Sequence, residues 1–324
     1  MAQADFALRR INTASLISTD KRGSPVEWFN LYLTLEAAAG SEHTFDAKQR
    51  DLAQFLTFLL KTAGTDHPDQ WTRALSADYL KQMERRERKS PTTINRRLAT
   101  LRHSANWIHS QRPFLAGNPC DRIHDLAVDD PEWKGLQDIE ITRLKSAAEQ
   151  LIHIHRRRNQ TAVRDYAILL ILLHTGLRLS ELLGLQLDQY QGKHLLNVKR
   201  KGKKVTRKVF LTKGVRDALD RYLDEVHGRE PGPIVCSRTG KRLARQNVDD
   251  ALKRIAKQAN ARFPKDQQIH LSAHLLRRTM LRKTAERYGV QYAMELAGHT
   301  SSRYIWRYIQ PSDEEKEAAL EGLF

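Results

Sequence analysis

Cysteine is scarce in this sequence, and long apolar runs are missing. The two cysteines, Cys120 and Cys236, form no metal-ligand cluster with neighbouring histidines, and we expect simple thiols in a reducing cytoplasm rather than a disulfide framework. The most apolar run, residues 167–173, is too short to span a bilayer. The first ten residues lack the apolar core of a secretory signal. We therefore expect a cytoplasmic protein without a membrane anchor.

Acidic residues are outnumbered by basic ones. The 324 residues include 55 Lys and Arg but only 38 Asp and Glu, which gives a formal net charge of +17. Neutralising a polyanion releases its bound counterions, so nucleic acid is the leading candidate for a partner. A generally basic, well-solvated surface is the alternative that charge alone leaves open. The length and the 40% hydrophobic content suit two globular domains.

The first half of the chain predicts a helical domain. Residues 1–25 are expected to form an N-terminal extension. Apolar residues then recur at three- and four-residue spacing, which predicts four helices within residues 26–125. Residues 126–135 contain Pro131 and several acids without periodicity, and we interpret them as a linker between domains.

The fourth predicted helix, which opens at Pro91, carries a candidate DNA-binding face. Its apolar residues form one stripe: Ile94, Leu98, Leu101, Ala105 and Ile108. On faces away from that stripe we place Arg96, Arg97 and Arg102, where a helix can present cations to a phosphate backbone or a major groove. A solvated face would explain the same three arginines in isolation.

The second half, residues 136–310, predicts helices around a small antiparallel sheet. The hydrophobic period changes to two across residues 194–211, and Gly202 supplies a hairpin turn. From Lys193 through Lys213 there are nine Lys or Arg and no acid. Such a hairpin can hold phosphates. The candidate contacts are Lys199, Arg200, Lys203 and Lys204.

A histidine, His299, stands nine residues before a tyrosine, Tyr308, which follows a basic residue. We interpret Tyr308 as a nucleophile. A phenol with a pKa of ~10 is about 0.1% ionised at pH 7, so hydrogen-bonding and cationic groups must favour its phenolate. Upstream in the chain such groups occur in order: Arg178, with Glu181 on the same helix face, then Lys201, His274 and Arg277.

This ordered set, Arg, Lys, His-x-x-Arg, His, Tyr, resembles the tyrosine recombinase (phage integrase-like) family across the whole second half of the chain. Residues 91–123 are similar to the last part of that family's N-terminal domain. The resemblance implies a mainly α fold with a helical, SAM-like, DNA-holding domain and a mainly α catalytic domain with a small antiparallel sheet. The two domains would form a clamp on duplex DNA.

The resemblance implies a site-specific DNA recombinase, an enzyme of phosphoryl transfer that cuts and rejoins strands through a 3′-phosphotyrosine without ATP, metal or other cofactor. It would serve integration, excision or resolution of DNA elements, including transposable elements. Arg178 and Arg277 would neutralise charge on the phosphate, Lys201 would protonate the 5′-oxygen, His274 would accept the tyrosine proton, and His299 would hold the phosphate. The register of the lysine stays open, since other lysines of the hairpin are within reach.

The partners implied are double-stranded DNA with specific recombination sites and three further copies of the chain, as a tetramer on two sites in the nucleoid. Accessory proteins are also possible partners in the reaction. The tail, residues 311–324, has an acidic start and an apolar edge, and we expect it to be exchanged between subunits; a closing helix within one subunit is the alternative. Other functions compatible with the sequence are a type IB topoisomerase, a catalytically silent DNA-binding protein and a metal-dependent nuclease or transposase.

The spacing from His299 predicts which tyrosine reacts. Tyr308→Phe should bind DNA normally and form no covalent adduct, because the variant lacks the attacking oxygen. Tyr304→Phe, its control four residues earlier, should keep the adduct. Denaturing gel electrophoresis of protein trapped on DNA measures both, and an inactive Tyr304 variant beside an active Tyr308 variant would show that the register is wrong.

Overall fold

The computed structural model describes residues 24–37, 42–64, 67–128, 135–154, 161–200, 204–298, 317 and 320–322. The chain divides into two units, Met1–Asp129 and Asp130–Phe324, each built around its own hydrophobic core. Within the described ranges both units are mainly helical, with one two-stranded antiparallel sheet, as the sequence predicts. None of the helices described is long and apolar enough to cross a membrane.

The described residues of the first unit form four α-helices, in agreement with the predicted number. They are α1 (Pro25–Leu35), α2 (Glu42–Ala63), α3 (Arg73–Lys81) and α4 (Pro91–Gln111). Ser24, Thr72 and Ser90 cap α1, α3 and α4, each accepting a hydrogen bond from a backbone N–H of the first turn.

Aromatic side chains fill the centre of the first unit. Phe29 and Phe55 pack around Trp71, with ring centroids 5.6 Å and 4.9 Å from the Trp71 ring. The buried Trp71 indole donates to the Ser76 hydroxyl at 2.8 Å, so its polar atom is satisfied inside the core.

The second unit is organised around a helix buried on all sides. Its elements are α5 (Asp138–Ile154), α6 (Thr161–Thr175), α7 (Leu179–Gly184), β1 (His194–Lys199), β2 (Val205–Phe210), α8 (Lys213–Tyr222), α9 (Arg245–Ala259), α10 (Ala273–Tyr288) and α11 (Val290–Ala297). Residues 167–173 of α6 are all buried. The most apolar run in the sequence is therefore a core helix, as a helix apolar on every face must be.

The predicted hairpin is present. β1 and β2 pair antiparallel, with His194 opposite Phe210 and Lys199 opposite Val205. Leu195 and Val198 point into the core, while Lys199 is exposed. The backbone N–H of Arg200 donates to the carbonyl of Lys204 at 2.7 Å, so the two strands are still held together where the described part of the hairpin ends.

The core of the first unit predicts a large stability effect at α4. Leu98→Ala should lower the free energy of unfolding by about 2–5 kcal/mol, because Leu98 is fully buried and its loss leaves a cavity. Denaturant unfolding followed by tryptophan fluorescence measures this, since three tryptophans belong to this core or pack against it. The matched control is Leu115→Ala, at an exposed leucine of the same unit, which should change stability by less than about 0.5 kcal/mol. Equal effects at both positions would contradict the core described here.

Candidate active site

Arg178 and Glu181 form a fixed pair at the start of α7. One carboxylate oxygen of Glu181 accepts from the Arg178 guanidinium at 2.8 Å, and the other accepts from the Arg178 backbone N–H at 2.9 Å. The Glu181 side chain is 3% exposed, whereas that of Arg178 is 28% exposed. The carboxylate therefore orients a guanidinium that still reaches the surface, which is the arrangement needed for a phosphate clamp.

A second arginine, Arg200, contacts the same carboxylate. Its guanidinium donates to Glu181 at 2.8 Å and to the Thr206 hydroxyl at 2.9 Å. Burial acts to raise the pKa of Glu181, but the hydrogen bonds from Arg178 and the charge of Arg200 outweigh it and lower that pKa. Glu181 is thus ionised at neutral pH, as a buried carboxylate between two cations should be.

Arg277 contacts the glycine turn that precedes Arg178 and α7. Its guanidinium is buried in α10 and donates to the carbonyl of Gly176, two residues before Arg178. Gly176 has φ +59°, and a Cβ there would lie 2.6 Å from the Met280 methyl on α10. The left-handed backbone favours glycine here, and any other residue would be strained and would have to displace the end of Met280. The turn before α7 therefore packs directly on α10, and the two predicted arginines share one site.

His274 lies one helical turn before Arg277 on α10. Burial lowers the pKa of His274, and the positive charges of four arginines lower it further: Arg278, Arg277, Arg245 and Arg178. His274 is three residues from Arg277 on one helix, and Arg277 contacts the carbonyl two residues before Arg178, so the predicted Arg178, His274 and Arg277 lie in one cluster. A histidine with this pKa is neutral at pH 7 and can accept a proton.

Arg245, the first residue of α9, is an exposed member of this cluster that the sequence analysis did not identify. Its position is unfavourable for a cation, because the N-terminus of a helix carries a partial positive charge. The charge of Arg245 acts on His274 because α9 packs nearby, and the sequence does not reveal that packing.

Several predicted site residues lie outside the described part of the chain: Lys201, Lys203, His299 and Tyr308. The residues directly before Lys201 and His299 are described. Helix α11 ends at Ala297 and is capped by Gly298, directly before His299, and the carbonyl of Leu296 in that helix accepts from Arg200 at 3.4 Å.

The predicted DNA contacts of the hairpin divide into two groups. Lys199 and Lys204 are exposed, as a phosphate contact requires. The side chain of Arg200 is only 2% exposed and is paired with Glu181. The prediction that Arg200 binds DNA is therefore corrected to an internal ion pair. The alternating pattern did not reveal this because the partner carboxylate lies on another element.

The arginines of α4 need a similar correction. The side chain of Arg97 is only 11% exposed, and its guanidinium lies 3.7 Å from Glu87 and 4.0 Å from Asp51. Arg97 follows Ile94 by three residues, so it lies at the edge of the apolar stripe rather than away from it. A DNA contact by Arg97 is not supported.

Arg96 and Arg102 are more exposed but have internal partners. Arg96 makes two hydrogen bonds to the buried carboxylate of Asp51, at 2.5 Å and 2.8 Å. Arg102 donates to the carbonyl of Ile123 at 2.8 Å and to Asp125 at 3.1 Å. Both side chains hold the first unit together, and whether either also contacts DNA stays a prediction.

Comparison with known proteins identifies the family. The model of the phage integrase family matches residues 143–315, and that of the phage integrase N-terminal SAM-like domain matches residues 26–111. The tyrosine recombinase XerD of Listeria monocytogenes serovar 1/2a is 26% identical over 302 residues, covering 88% of this chain and 93% of the relative. The tyrosine recombinase XerC of Alcanivorax borkumensis is 30% identical over 270 residues, covering 80% of each. The predicted resemblance is confirmed.

Solved structures show the same fold at low identity. The Tn1549 transposon integrase in complex with a circular intermediate DNA has a TM-score of 0.70 at 15% identity, covering 93% of this chain and 100% of that one. A lambda integrase tetramer bound to a Holliday junction has a TM-score of 0.68 at 16% identity, covering 93% and 82%.

The arginine cluster predicts the titration of His274 in the DNA-free protein. Its pKa should lie below the usual 6.5, and Arg245→Gln should raise it because one of the four repelling charges is removed. NMR titration of the imidazole ring measures both values. Lys257→Gln, at the other end of α9, is the control and should leave the pKa of His274 unchanged. An Arg245→Gln variant with an unshifted His274 would contradict this placement of Arg245.

Proposed function

Because the chain belongs to the phage integrase family and is a tyrosine recombinase, an enzyme that cuts and rejoins DNA strands in site-specific recombination, we propose that Arg178, His274 and Arg277 hold its scissile phosphate. One observation carries the proposal. The carbonyl of Gly176, two residues before Arg178, accepts a hydrogen bond from Arg277, which is on the same helix as His274 and three residues after it.

The proposed reaction is phosphoryl transfer without hydrolysis. The Tyr308 oxygen attacks the phosphorus, its proton passes to neutral His274, and the bond to the 5′-oxygen breaks. The products are a 3′-phosphotyrosyl ester and a 5′-hydroxyl that has received a proton from Lys201. Attack by the 5′-hydroxyl of a partner strand reverses these steps and releases the tyrosine. The ester keeps the bond energy, so no ATP enters.

Arg178 and Arg277 act on the transition state. Negative charge increases on the non-bridging oxygens as the phosphorus becomes pentacoordinate, and each fixed donor in such a site contributes ~3 kcal/mol. Glu181 supports this by keeping Arg178 in one orientation. In this proposal His299 completes the contacts to the phosphate.

The proposed substrate is double-stranded DNA with specific recombination sites, in the nucleoid. The exposed Lys199 and Lys204 of the hairpin, together with Lys203, would contact the backbone beside the scissile phosphate. We propose a DNA-holding domain at residues 26–125, a linker, and a catalytic domain at residues 136–310. Sequencing DNA that is covalently bound in cells would identify the sites and show whether they belong to integration, excision or resolution.

The proposed assembly is a tetramer on two sites, with the tail at residues 311–324 exchanged between subunits. Lambda integrase, which has the same fold, forms a tetramer bound to a Holliday junction. Leu320 in this tail is 61% exposed, which is consistent with an apolar residue covered by a neighbouring subunit. Exchange would couple the state of one subunit to the next and so limit cleavage to alternate subunits.

The proposed roles predict a defect in chemistry rather than binding. Arg178→Ala and Arg277→Ala should slow covalent adduct formation by ~100-fold or more and change DNA affinity little, because the lost contact strengthens in the transition state. Single-turnover kinetics on the identified site and a binding titration measure the two effects. Arg221→Ala, which breaks a surface Arg–Glu pair on α8, is the control and should cleave normally. A loss confined to affinity would reassign the two arginines to DNA positioning.

A further inference from the structure

Arg200 is a buried cation beside the site that the proposed chemistry does not use. It is the last residue of the hairpin's first arm before Lys201, and its backbone N–H donates to Lys204 across the hairpin. Burying a guanidinium is unfavourable unless its donors are satisfied. The contacts of Arg200 therefore show what its burial achieves.

The guanidinium of Arg200 joins three separate elements. It donates to the Glu181 carboxylate on α7 at 2.8 Å, to the Thr206 hydroxyl on β2 at 2.9 Å, and to the Leu296 carbonyl on α11 at 3.4 Å. Each donor nitrogen has a different partner. The planar guanidinium directs its donors along fixed directions and so suits a contact with three partners. A lysine ammonium lacks this geometry.

The end of α11 is shaped to receive this side chain. Gly298 has φ +64°, and a Cβ at that position would lie 3.3 Å from the Arg200 Nε. A larger residue at 298 would be strained and would push against the guanidinium. The helix therefore ends against Arg200 immediately before His299, and Tyr308 follows ten residues after Gly298.

Arg200 also changes the charge balance around Arg178. Glu181 carries one negative charge and contacts two guanidinium groups, so the three side chains keep a net charge of +1. Without Arg200, the Glu181 carboxylate would pair with Arg178 alone, and that ion pair would have no net charge. The second arginine thus leaves positive charge at the partly exposed Arg178, where a phosphate would bind.

We propose that Arg200 is a positioning residue of the recombination reaction, which rests on the function proposed above. It fixes the Arg178–Glu181 pair, the base of the hairpin that bears Lys201, and the end of α11 that leads to His299 in one arrangement. In this proposal a single guanidinium holds the phosphate-binding arginine, the general acid and the segment of the nucleophile in the correct relative positions.

The test compares Arg200→Gln and Arg200→Lys with Arg164→Gln in the full chain. Arg164 is a matched control because it is also buried in the second unit and pairs with a carboxylate, Asp165, but does not contact these site residues. Each variant is measured for thermal stability, for DNA affinity, and for the single-turnover rate of adduct formation on a nicked duplex of the identified site.

We expect both Arg200 variants to bind DNA normally and to form adduct about 10- to 100-fold more slowly, as misplaced catalytic groups do. Arg200→Lys should keep more activity than Arg200→Gln, since it retains the charge. The defects of Arg200→Gln and Glu181→Gln should be less than additive, because the two side chains share one contact. Arg164→Gln should lower thermal stability about as much as the Arg200 variants do, but the folded protein should form adduct at the normal rate.

Adduct formation by Arg200→Gln at the wild-type rate would overturn the positioning role while leaving the proposed function intact. The positioning role would also be overturned if the rate losses of Arg200→Gln and Glu181→Gln were fully additive, because the two residues would then act independently. The same conclusion would follow if Arg164→Gln slowed adduct formation equally, because the loss would then be a general effect of lower stability. Absence of adduct from the wild-type protein would instead refute the proposed function, and the positioning role with it.

Discussion

The carboxylate of Glu181 is the interaction on which the rest of the site depends. It is almost completely buried, and it accepts hydrogen bonds from the backbone and side chain of Arg178 and from the side chain of Arg200. An unpaired carboxylate in this position would be strongly unfavourable, and so would an unpaired Arg200. Each group therefore requires the others, and the start of α7, the hairpin and the end of α11 meet in one arrangement.

Gly176 and α10 supply the second constraint. The backbone at Gly176 is left-handed, a conformation that favours glycine, and the turn packs against Met280 while its carbonyl accepts from Arg277. Arg178 and His274 are then held close together by packing rather than by sequence. Burial, together with the accumulated positive charge, lowers the pKa of His274 and keeps the imidazole neutral, which suits it to accept a proton at the pH where the guanidinium groups remain charged.

Much of this organisation could be predicted from the sequence. Hydrophobic periodicity predicted the four helices of the first unit and the hairpin. The family was predicted from a full ordered set of residues: Arg178, Lys201, His274, Arg277, His299 and Tyr308. Hydrophobic periodicity shows on which face of its own helix or strand a residue lies. It does not show which residues of other elements contact that face. Arg97 and Arg200 were misassigned because their environments are set by Asp51 and Glu181, which lie on other elements of the structure. Arg245 was missed for the same reason, since only the packing of α9 brings it near His274.

The most direct measurement varies the charge of the substrate instead of the protein. A duplex whose scissile phosphate is replaced by a neutral methylphosphonate removes the charge that Arg178 is proposed to neutralise. On normal DNA, Arg178→Ala should be ~100-fold or more slower than the wild-type protein, whereas on the methylphosphonate the two should differ by less than about 10-fold. Equal rate ratios on the two substrates would contradict the account, because Arg178 would then act without regard to the charge of the phosphate.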